Sequence, residues 1–136
     1  MEVPFPEFPL CRVFVGGCVE RGEGSSFRAS AHTHISHVYK NWICVRSKKP
    51  ETLRLRDGEP TNLMKHEYAH VLTGEGHTRR YWLTLARIGG YMERESYFGH
   101  QRKDFIPLRS RWIDVKRIVA TPDVMNFLEP RLEPKT

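Results

Sequence analysis

Residues 66–70 read His66-Glu67-Tyr68-Ala69-His70. On a helix, positions four apart share one face about one turn up. His66 and His70 can therefore aim two imidazoles at one point, with Glu67 beside them within reach of a water held there. Zinc suits this donor set: it takes nitrogen ligands near 2.0–2.1 Å in a tetrahedral arrangement, and hydrolytic sites keep one position open for water. With 7 His and 12 Glu in 136 residues, the pattern arises by chance only roughly 0.03 times per chain, so the spacing carries weight as a metal motif.

Two histidines leave a third protein ligand to be supplied. His77 follows across Gly74-Glu75-Gly76, a segment able to turn the chain back on itself. Glu75, Glu93, Glu95 and His100 are the alternatives, because carboxylates and imidazoles both ligate zinc. The chemistry implied is metal-assisted hydrolysis, with Glu67 taking a proton from water and passing it to a leaving amine; a peptide bond is the natural substrate. An oxyanion or substrate contact is sought among Tyr81, Tyr91, Tyr97, Arg79 and Arg80. A second cluster, His32, His34 and His37, lies in a strand-like segment where His32 and His34 share a face. We read it as the exposed polar face of a half-buried strand, with a substrate-lining role or a second metal as alternatives.

A metal helix needs a defined start and a sharp stop. Thr61 or Asn62 caps a helix running to Leu72, and Gly74 and Gly76 stand where it should end. Thr78 caps a second helix through Tyr81, Trp82, Leu85 and Ile88, stopped by Gly89 and Gly90. Tyr81 and Trp82 open its apolar face and are expected to pack on the metal helix. Upstream, residues 1–9 hold three prolines and read as an extended lead-in. Leu10–Val19, Phe27–Ile35 and Val38–Val45 read as strands of a small antiparallel sheet. Residues 47–59 form a charged connection with a short strand or turn at 51–55. Beyond the second helix, 91–98 is expected as helix, 112–119 as strand or short helix, and Thr121-Pro122 as the start of a last helix ending near Leu128.

His66-Glu67-Tyr68-Ala69-His70-Val71-Leu72, followed by Gly76-His77-Thr78-Arg79-Arg80-Tyr81-Trp82, resembles the metal core of the SprT-like zinc metallopeptidases and the related WLM-type small zincins. In those proteins a Gly-His with an aromatic residue a few positions later follows the active helix. The resemblance covers about residues 60–90. It implies a minimal zincin fold with a small sheet beside the active helix, zinc held by His66, His70 and His77, and Glu67 as general base. It also implies protein substrates that include proteins attached to DNA. The cysteine-rich zinc ribbon that follows this core in many SprT-like proteins is not in this sequence.

The net charge of +6 and a pI near 9.5 agree with a polyanionic partner such as nucleic acid. The basic residues concentrate at Arg46, Lys48, Lys49, Arg54 and Arg56, at Arg79 and Arg80, and at Arg102, Lys103, Arg109 and Arg111. No stretch reaches the roughly 18 apolar residues of a membrane span and no secretory signal opens the chain, so no membrane partner and a cytoplasmic location are expected. Cys11, Cys18 and Cys44 form no C-x-x-C pair and read as packed thiols. The expectation is one α+β domain over residues 1–136, with extended tails at 1–9 and 130–136, acting as a zinc-dependent metallopeptidase with one zinc per chain. The main rival is a non-catalytic, zinc-stabilised nucleic-acid-binding module. A structural adaptor with a decayed site is a third reading.

Overall fold

The computed structural model describes residues 1–18, 29–35, 41–93, 105–107, 117–129 and 132–134. The chain divides into two compact units, Met1–Gly74 and Glu75–Thr136. Both mix strand and helix, so the class is α+β.

The first unit holds strands β1 (Glu2–Val3), β2 (Cys11–Val15), β3 (Ala31–His34) and β4 (Asn41–Val45), then helix α1 (Asn62–Thr73). The sheet order is β1-β2-β4-β3. The outer pairs, β1 with β2 and β3 with β4, are antiparallel, whereas β2 and β4 run parallel. The expected antiparallel sheet is therefore a mixed one. The reason lies in β4, whose Ile43, Cys44 and Val45 are all 0% exposed. A central strand covered on both faces reads as an unbroken apolar run, and such a run does not announce which neighbour it takes or in which direction.

Register sorts the two faces. Val13 pairs with Ile43, Val15 and Ala31 with Val45, and Thr33 with Ile43, so all six share one face, since side chains alternate along a strand and paired residues point together. Helix α1 packs on β3 and β4 and contributes buried Met64, Tyr68 and Ala69. The opposite face carries Cys44 with its register partners Phe14 and His32, and Trp42 with Arg12 and His34.

Residues 1–9 are built into this unit instead of forming a tail. Phe5 and Phe8 are buried. The Phe8 ring stacks on Tyr68 at 4.1 Å and 9°, and the Tyr68 hydroxyl donates to the Pro9 carbonyl at 3.2 Å. Arg54 pairs with Glu7 and lies over the Phe5 ring. Prolines dictate extended backbone, but the aromatics between them dictate burial, and an aromatic pair of this kind adds about 0.5–1.5 kcal/mol beyond its buried area. Between sheet and helix, Pro50–Thr52 forms a single 3-10 turn, and Arg54 bridges to Pro60.

In the second unit, α2 (Arg79–Arg87) buries Tyr81, Trp82 and Leu85. β5 (Met92–Glu93) pairs antiparallel with β7 (Arg117–Ile118), and β6 (Phe105–Pro107) with β8 (Leu132–Pro134). α3 (Pro122–Leu128) is capped by the Thr121 hydroxyl, which accepts from Val124 N. Met92 and Glu93 are strand where helix was expected, because pairing with β7 outweighs weak local propensity; residues 94–98 and 112–116 lie outside the described residues. Residues 132–134 are a paired strand within the expected C-terminal tail. Among the described residues no helix is long and apolar enough to cross a membrane.

Candidate metal centre

Helix α1 begins where its sequence provides a cap. The Thr61 hydroxyl accepts from Met64 N at 3.4 Å and donates to the Thr52 carbonyl at 2.7 Å, which ties the helix start to the preceding turn. Leu63, Met64, Lys65, Glu67 and Ala69 are favourable helix residues. The helix ends at Gly74, whose φ of 65° and N–H bond to the His70 carbonyl at 2.8 Å close the last turn. That left-handed conformation is the one glycine adopts without steric cost.

His66 and His70 project from successive turns with ring centroids 5.2 Å apart and planes at 75°. One ring nitrogen of each lies within 4.8 Å of the other. Both are half-buried. Glu67 is 6% exposed. The Thr33 hydroxyl, reaching from β3, donates to Glu67 Oε1 at 2.9 Å, and the Glu67 carbonyl oxygen lies 3.2 Å from the same hydroxyl. Glu67 Oε2 lies 3.9 Å from His66 Nε2. One carboxylate oxygen is thus anchored to the sheet and the other is turned toward the His66 imidazole. Burial pushes the Glu67 carboxyl up to about 7, against the opposing pull of the Thr33 hydrogen bond. A carboxylate poised near neutrality can take up and release a proton readily. Two imidazoles on one helix face with a buried carboxylate between them fit the donor chemistry of zinc.

His77 belongs to the second unit. Its ring stacks on Trp82 at 5.3 Å and 26° and meets Tyr81 edge-on at 5.0 Å, while Thr78 beside it caps α2 by accepting from Tyr81 N at 3.2 Å. The other sequence candidates are distributed as follows. Tyr81 is fully buried. Arg79 donates to Asn126 Oδ1 at 2.8 Å and to Glu129 at 3.3 Å, and Arg80 to Glu75 at 2.7 Å. Hydrogen bonds from Thr78 and Arg80 hold Glu75 below the usual carboxylate range. Tyr91 lies under the Arg117 guanidinium at 5.0 Å, and Glu93 is in β5. Tyr97, Glu95, His100 and His37 fall outside the described residues.

His32 and His34 sit on the sheet face opposite α1, because Thr33 between them faces the helix. They are half-buried rather than exposed, and they do not share the face that carries Glu67. Thr33 is the partner of Glu67 that composition and spacing did not single out; its signal is its place between two same-face histidines in a strand. Of the basic residues, Arg54 and Arg79 are held by acidic partners and Arg54 also by the Gly58 carbonyl, while 102, 103, 109 and 111 lie outside the described residues. No protein-family model, curated protein or solved structure matches this chain.

Proposed function

We propose that the chain is a zinc-dependent metallopeptidase that hydrolyses peptide bonds with Glu67 as general base. The observation that carries this reading is the buried Glu67 carboxylate, fixed by Thr33 through one oxygen and turned by the other toward His66. A structural histidine pair has no need of such a group, whose burial costs free energy.

His66 and His70 are the ligands from α1, and His77 is the third ligand on the strength of the sequence pattern. Zinc, when bound, supplies a Lewis acid that polarises a carbonyl and acidifies water toward neutrality. Glu67 Oε2 accepts the proton of the attacking water and returns it to the leaving amine. Thr33 holds Oε1, so the carboxylate keeps one orientation through both transfers. Trp82 fixes the plane of the His77 ring by stacking.

The test is cleavage of an unfolded protein substrate by zinc-loaded wild type, His66→Ala/His70→Ala and Glu67→Gln proteins, with zinc content measured for each. Hydrolysis lost in both variants, with zinc content falling only in the histidine variant, is the expected result. A wild type that binds zinc at His66 and His70 but cleaves nothing overturns the peptidase reading and favours the nucleic-acid-binding module, to be assayed by DNA binding with the same proteins.

A further inference from the structure

A second donor cluster lies on the far face of the first unit's sheet. Cys18, His32, His34 and Cys44 each offer one ligand atom, and the four atoms all lie within 4.8 Å of one another. The fold brings them together by three separate devices. Register places His32 opposite Cys44. Strand alternation puts His34 on the same face as His32. At the end of β2, Gly16 and Gly17 take φ of 86° and 135° and both donate to the Val45 carbonyl, at 2.8 and 3.3 Å, before the chain reaches Cys18. The left-handed pair is a turn that glycine makes at little cost.

We propose that Cys18, His32, His34 and Cys44 form a tetrahedral Cys2His2 site for a structural zinc ion, separate from the α1 site. Zinc bound by thiolate at about 2.3 Å and imidazole at about 2.0–2.1 Å sets ligand atoms about 3.3–3.8 Å apart. Here His34 Nε2 stands 3.4 Å from Cys18 Sγ, inside that range, and 2.9 Å from His32 Nε2, just short of it, so the two rings part slightly to take an ion. A ring nitrogen carries either a proton or a lone pair, so His34 Nε2 cannot donate to one of these neighbours and accept from the other. Cys18 and Cys44 are 2% and 0% exposed and form no disulfide. Trp42 stacks on the His34 ring at 4.9 Å and 21°, fixing its orientation as a ligand ring is commonly fixed. All four donors are filled by protein, which describes a closed structural site without a position for substrate water. Such an ion ties the end of β2 to β3 and β4, and its binding free energy becomes folding free energy of this sheet.

This inference stands apart from the peptidase reading, because none of its residues is on α1. The test replaces zinc by cobalt in the whole chain and records the visible and near-ultraviolet spectrum, since thiolate ligands give a sulfur-to-cobalt charge-transfer band that an all-histidine site lacks. Wild type and His66→Ala/His70→Ala are expected to show the band and to hold zinc in this site. Cys18→Ser/Cys44→Ser is expected to lose the band and one zinc per chain, whereas Cys11→Ser keeps both. No charge-transfer band in wild type, or zinc absent from the His66→Ala/His70→Ala protein, overturns the proposal. Both measurements decide the matter even where the double cysteine variant fails to fold.

Discussion

The Thr33 hydroxyl donates to Glu67 Oε1 at 2.9 Å, coupling the middle of an outer strand to the middle of helix α1. The contact joins residues 34 positions apart in sequence and falls on a carboxyl that is almost wholly withdrawn from water. Hydrogen bonds to charged groups contribute about 1.5–3 kcal/mol, and leaving a buried charge without its donor costs at least as much.

Thr33→Val keeps the shape of the side chain and removes the donor. We expect kcat/KM for peptide hydrolysis to fall about 10- to 100-fold, which is the same free energy expressed as a rate. Zinc content should stay at the wild-type level, and Thr33→Ser should recover most of the rate. A valine variant with wild-type kcat/KM shows that Thr33 does not orient Glu67.

Glu67→Gln tests the proposed base. The amide can still accept from Thr33 but cannot take a proton, so hydrolysis is expected to drop at least about a hundredfold with zinc retained. Steady-state cleavage assays read against metal content separate this from loss of the site. Residual activity near the wild-type level assigns the proton transfer to another group.

Helix α1 is legible in the sequence because its instructions are local: Thr61 at the cap, helix-favouring residues between, and Gly74 at the stop all act within a few residues. The second helix, with Thr78 as its cap, and the last, with Thr121-Pro122, were readable for the same reason. What depends on distant partners was not. The parallel pairing of β2 with β4, the stacking of Phe8 on Tyr68, and the approach of Thr33 to Glu67 are each fixed by packing between segments far apart in sequence. Along the histidine-rich strand, alternation reveals which residues share a face, but not what lies across from them. Cys44 is across from His32, a fact that register alone supplies.

Thr61→Ala removes two hydrogen bonds at once, the cap to Met64 N and the tie to the Thr52 carbonyl. Loss of an N-cap costs about 0.5–2 kcal/mol, and the second bond should place this variant toward the upper end. The midpoint of urea unfolding should fall accordingly, with the slope unchanged. Thr61→Ser should restore most of the loss. An alanine variant of wild-type stability shows that α1 is held by packing alone.

Cys11 carries the clearest pH dependence away from the two candidate metal sites. Burial pushes its thiol up to about 12 from the ordinary 9.0. A thiol whose folded pKa is raised contributes its full stability below the unfolded pKa, and loses it as pH climbs through the window between the two values, where the unfolded chain releases a proton that the folded chain keeps. Wild-type unfolding free energy relative to Cys11→Ala should therefore be constant below about pH 8.5 and decline from about pH 9 upward. At about pH 8, alkylation of Cys11 in the folded protein, followed by peptide mapping, should be slower than for a cysteine in a short peptide, because only the thiolate reacts. A Cys11 that alkylates at the peptide rate has an ordinary pKa, and the stability difference between the two proteins should then be flat across that window.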